Sequence, residues 1–179
     1  MQFIQLDLFS KTLALVRRKL RGSGGISAPS KARAASRVID DSKLREIWTG
    51  LRQEYFPDRP DLDSYRICWS KRRQLRTLAS CNISHKKVNV ARELDNPDCE
   101  PWLTPLLHHE MCHAALADQI HASRGAIKYH GQEFKRLERC HPLHKALDKW
   151  IRSGGWLHAI RSHRAKEVQQ KRKLEKKAA

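Results

Sequence analysis

The chain has no paired cysteines. Its five, Cys68, Cys81, Cys99, Cys112 and Cys140, are odd in number and never form a CxxC pair. This argues against a disulfide framework and against a cysteine-built zinc finger or ribbon. A long apolar run is missing too. No window approaches the roughly 18–20 consecutive apolar residues of a membrane span, so no membrane partner is expected. Internal repeats are absent, as is any motif that reads base edges. Acidic residues are scarce beside basic ones, 19 against 36, giving a formal net charge of +17 over 179 residues. Together these features predict one modest core with flanking segments, a cytoplasmic, reducing setting and a polyanionic partner such as nucleic acid.

The charge is unevenly spread. Residues 1–40 carry 8 basic and 2 acidic groups, residues 161–179 again 8 and 2, and residues 41–160 carry 20 and 15. The middle is therefore only mildly basic. Residues 22–40 begin Gly-Ser-Gly-Gly and are rich in small residues, which reads as a flexible linker. The rear flank, 161–179, has almost no large apolar residues and reads as a basic tail, either a solvated helix or disordered.

The middle, 41–160, reads as α+β. Asp40, Asp41 or Ser42 can cap a helix with Leu44, Ile47, Trp48, Leu51 and Tyr55 at helical spacing, stopped near Pro57. Strands are expected over Ser64–Trp69, Leu75–Cys81 and Lys87–Ala91, with Asn82–Lys86 closing a hairpin. Helices are expected from Pro105 to Ile120 with Thr104 as cap, over His130–Cys140, and over Pro142–Arg152, ended by Gly154-Gly155.

The strongest chemical signal is His109-Glu110-Met111-Cys112-His113. Two histidines four apart lie on one helix face, so both imidazoles can reach one zinc ion. Glu110 follows the first of them, where a carboxylate can act as general base on water that the metal activates. A catalytic zinc needs a third protein ligand and an open position. His130, in His130-Gly131-Gln132-Glu133-Phe134, is the candidate. His121 is a rival more than two turns from His113, and His108 is rotated by about 100° from His109. His141 and His144 read as surface or capping residues.

This pattern resembles the SprT-like zinc metalloproteases. The resemblance rests on His-Glu-x-x-His followed by His-Gly-x-x-Phe, and is closest over Thr104–Ala115. It implies that His109, His113 and His130 bind one zinc ion and that Glu110 is catalytic. It also implies a zincin-like fold with a small sheet beside the active-site helix, and endopeptidase action on proteins crosslinked or bound to DNA. The chain departs from many family members in having no C-terminal ribbon of paired cysteines. Any DNA contact must then come from its basic clusters, Lys71, Arg72, Arg73 and Arg76 in the middle and Lys171, Arg172 and Lys173 in the tail. Such contacts neutralise phosphates without reading sequence. Trp69 beside the first cluster reads as core.

Residues 1–21 hold a second, shorter signal. Gln5-Leu6-Asp7-Leu8-Phe9 resembles the pentapeptide by which bacterial DNA-processing proteins bind the replication sliding clamp. Leu8 and Phe9 would enter an apolar pocket while Gln5 makes polar contacts. The resemblance implies a bacterial, nucleoid-associated protein. An amphipathic helix using Phe3, Ile4, Leu6, Phe9 and Leu13, or a mitochondrial transit peptide, is the alternative for this segment. For the whole chain, one alternative is a DNA- and clamp-binding module whose structural zinc takes a fourth ligand from Cys112, His121 or Cys140. Another is a metallopeptidase acting on free proteins.

Overall fold

The first described helix shows how local signals set the frame. In the computed structural model, which describes residues 41–118 and 130–178, α1 spans Ser42–Tyr55. Asp41 is its cap, its carboxylate accepting from the Leu44 N–H at 3.1 Å. Leu44, Trp48 and Leu51 form its buried stripe. The Trp48 indole N–H donates to the Leu62 carbonyl at 3.0 Å, fixing α1 on the turn that follows. Phe56 ends the helix just before Pro57, where the proline disfavours helical geometry in the residue it follows.

Three short strands form one sheet. β1 (Arg66–Trp69) pairs in parallel with β3 (Lys87–Val90), and β2 (Ala79–Asn82) pairs antiparallel with β3, giving the order β1-β3-β2. Val88 and Val90 are buried while Lys87 and Asn89 are half-buried, the alternation expected of a sheet packed on one face. The β2–β3 turn is closed by Asn82, whose side chain accepts from the His85 N–H at 3.0 Å, and by Lys86 in the left-handed region at φ 45°. All three strands are shorter than expected from sequence, β3 by one residue. β1 starts at Arg66 because Pro60–Ser64 forms a 3-10 turn ending on Tyr65. β2 starts at Ala79 because residues 70–76 are held by side-chain contacts outside the ladder, among them Gln74 N–H to Glu93 at 2.8 Å and the Trp156 indole to the Leu75 carbonyl at 3.3 Å.

The central helix α2 runs Glu100–Ala115, five residues earlier than the expected start at Pro105. Asn96 caps the 3-10 turn Pro97–Cys99 that leads in, and Pro101 occupies the first turn, where its missing N–H costs nothing. Pro105 therefore lies inside the helix and Thr104 is no cap. Burial of Leu103, Leu106, Leu107 and Met111 outweighs the hydrogen bond that Pro105 cannot make. The helix ends at Ala115 with Leu116 as its cap, residues 117 and 118 are again helical, and the expected end at Ile120 lies outside the described residues.

The remaining elements are helical. α3 spans Gln132–Glu138, α4 spans His144–Arg152 and α5 spans Gly155–Ala178. α3 is shorter than the expected His130–Cys140, because His130 sits in the turn before it and Gly131 is its cap. Gly154, at φ 88°, breaks the chain between α4 and α5. Gly155 lies so close to the Trp150 ring that a Cβ there would fall 2.2 Å from it. α5 buries Trp156, Ala159 and Ile160 against the core and runs unbroken through residues 160 and 161, its later turns exposed. α2 packs against α1, β2, α3 and α4, so the helix that carries the candidate site is also the centre of the core. All five cysteines are free. No helix among the described residues is long and apolar enough to cross a membrane.

Candidate metal centre

Two helices converge on the site. His109 and His113 lie one turn apart on α2, and His130 stands just ahead of α3, which packs across α2. One potential ligand atom from each of the three lies within 4.8 Å of the others. Ring centroids are 5.1 Å apart for His109–His113, 5.4 Å for His109–His130 and 4.8 Å for His113–His130. Phe134, 1% exposed, touches all three rings at 4.5–5.0 Å and forms the apolar side of the cluster.

The electrostatics suit a cation. Burial lowers the pKa of His113 to about 2 and of His130 to about 4, with the charge of His109 adding to both. Neutral imidazoles with available lone pairs are the form that binds metal. His130 Nε2 is buried and has no protein hydrogen-bond partner. An orphaned ring nitrogen among two other imidazoles fits a metal ligand better than a core residue. His109 differs. Burial opposes charge on its ring, but a 2.6 Å contact between Nδ1 and Glu138 Oε1 raises its pKa.

Glu110 is 2% exposed on the same helix. Burial raises its pKa to about 7, opposed by His109 and by a hydrogen bond from the Cys81 backbone in β2. A backbone group of β2 thus holds the carboxylate on α2, where it interacts with the neighbouring His109. A carboxyl with a pKa near neutrality can both take and return a proton.

Two of the cysteines weighed as a fourth ligand lie elsewhere. Cys112 Sγ is 3.8 Å from His108 Nδ1, on another face of α2, and Cys140 is exposed with its thiol donating to the Arg136 carbonyl at 3.4 Å. Among the described residues, the metal-capable group is His109, His113 and His130 alone. His108 packs on Tyr55, Phe56 and His141 instead, and His141 is 4% exposed rather than a surface residue. His121 lies outside the described residues, as do the linker and the segment Gln5, Leu6, Asp7, Leu8, Phe9.

The basic clusters are on the surface. Lys71, Arg72, Arg73 and Arg76 are exposed in the loop before β2, and Lys171, Arg172 and Lys173 are exposed on α5. Glu167 on α5 bridges Arg73 at 2.7 Å and Arg92 at 2.8 Å, tying the loop to the helix. Trp69 is half-buried against the core. Glu138 is not among the residues the sequence motif marks, although it lies four residues after Phe134 and eight after His130. That spacing puts it on the face of α3 turned to α2.

Three convergent imidazoles, with a buried carboxylate adjoining the first of them on the same helix, make a site of the kind found in metallopeptidase-type domains. The family model of the SprT-like family matches residues 44–147, more than half of the chain, and the chain belongs to that family. No curated protein and no solved structure matches the chain significantly.

Proposed function

We propose that the chain is a zinc-dependent endopeptidase that cleaves proteins crosslinked or bound to DNA and is recruited to the replication sliding clamp. The observation that carries the hydrolase reading is the convergence of His109, His113 and His130, with the buried Glu110 following His109 in the helix. The three histidines would hold the metal. A bound zinc ion supplies Lewis acidity and lowers the pKa of water at the site. Glu110 accepts a proton from the attacking water and returns it to the departing amine, a role that suits its pKa near 7. Phe134 keeps one side of the histidine cluster dry, which strengthens each polar contact there.

The DNA reading is supported by the exposed basic loop and helix, held together through Glu167. Arg72, Arg76, Arg172 and Lys173 project from this surface and would neutralise phosphates without base specificity. The clamp reading rests on Gln5–Phe9 alone.

The test uses the full chain on a protein crosslinked to an oligonucleotide, with the free protein as comparison. Wild type is expected to cleave the crosslinked form preferentially and to lose that preference as salt rises. Glu110→Gln is expected to keep zinc while cleavage falls about 10²–10⁴-fold. Undiminished cleavage by Glu110→Gln overturns the mechanism, and equal cleavage of both substrates at all salt concentrations overturns the DNA assignment.

A further inference from the structure

The contact behind His109 is not explained by local structure. Glu138 is the last residue of α3, where the helix dipole disfavours a carboxylate. Its side chain is only 22% exposed, and Asp148 on α4 lies close enough to interact with both Glu138 and His109. Two acids within interaction range of each other repel, and burying them costs desolvation. A positive charge on the far side of the His109 imidazole would offset both penalties.

We propose that Glu138 is a positioning residue for the metal centre, acting through His109. An ionised carboxylate can only accept hydrogen bonds. The 2.6 Å contact therefore has His109 Nδ1–H donating to Glu138 Oε1. With the proton held at Nδ1, the tautomer is fixed and Nε2 becomes the atom a cation would take. The same contact stops the ring from turning about its own axis, and the carboxylate makes the imidazole a stronger donor to metal.

α3 thereby serves the site three times at intervals of four residues. His130 precedes its first turn, Phe134 lies under all three rings, and Glu138 holds the ring of His109 from behind. The chain segment that supplies one ligand also orients a ligand on another helix. Seating α3 on α2 and assembling the metal site are then a single event.

This inference rests on the metal-site reading, and the test separates the two. Zinc affinity of the full chain is measured by competition with a chromogenic chelator for wild type, Glu138→Ala and Glu138→Gln. Thermal unfolding of each metal-free chain is recorded alongside. The expected result is a 10–100-fold loss of zinc affinity for Glu138→Ala. Glu138→Gln, whose amide oxygen can still accept from Nδ1–H, should recover part of that loss. Nitrogen NMR of the imidazoles should find the proton on Nδ1 of His109 in wild type, and a mixture of tautomers in metal-free Glu138→Ala. Wild-type zinc affinity in Glu138→Ala overturns the proposal, as does a lowered melting temperature with zinc affinity unchanged. Failure of the wild-type chain itself to bind zinc overturns the metal-site reading on which the proposal stands.

Discussion

Helix α2 carries two pairs of metal-capable side chains at the same spacing, offset by one residue. His109 and His113 form one pair, and His108 and Cys112 the other. The first faces His130 and Phe134, and the second faces Tyr55, Phe56 and His141. His108, His109 and Cys112 are buried and His113 is half-buried, and burial lowers the pKa of His108 to about 4, as it does that of His130. His108 Nε2 is even unpaired, like His130 Nε2. What separates the two faces is what packs opposite. On one face His130 and Glu138 join the pair, and three ligand atoms come within 4.8 Å of one another, whereas on the other Tyr55 and Phe56 pack among the rings of His108 and His141 and, among the described residues, no such group of three forms. The i,i+4 spacing makes a metal pair available, and the facing helix decides whether it becomes a site.

The sharpest way to break this comparison is to remove a ligand from the first face. His113→Ala is expected to abolish measurable zinc binding, exceeding the about 10–100-fold loss that follows from removing an outer partner, with hydrolysis lost as well. Metal analysis of the purified variant checks this. Phe134→Ala acts on the same face through packing. It should cost about 3–5 kcal/mol of stability, read by urea unfolding, and lower zinc affinity because all three rings lose their common support. His108→Leu breaks the second face and should do far less. It keeps the volume and removes an orphaned buried nitrogen, so stability should stay within about 1.5 kcal/mol of wild type and zinc stoichiometry should not change. Zinc loss in His108→Leu comparable to that in His113→Ala would erase the distinction between the faces.

Much of the first face was legible in the sequence. Side chains at i and i+4 share a helix face whatever the fold, so His109 and His113 needed no tertiary information. His130 could be named because His-Gly-x-x-Phe opens a helix after a break, and the family match covers that stretch. The second face was not legible. Nothing local says that His141, in a polar stretch before Pro142, becomes buried against His108 and Tyr55. The start of α2 was misjudged because Pro105 reads locally as a first-turn residue, and only burial of Leu103 and its neighbours sustains the helix upstream of it. β2 read too long because Leu75 and Leu78 flank it, yet Leu75 is 57% exposed, its carbonyl engaged by Trp156. Glu138 is not legible in the sequence because a carboxylate in the last turn of a helix normally reads as a solvated surface residue.

X-ray absorption at the zinc edge of the metal-loaded full chain tests the central claim most directly, since it counts the ligands and identifies their elements. The account predicts three imidazole nitrogens and one further light-atom ligand near 2.0–2.1 Å, with no sulfur. A sulfur shell near 2.3 Å would place Cys112 or Cys140 on the metal, making the centre structural and contradicting the assignment of α2's first face as the catalytic one.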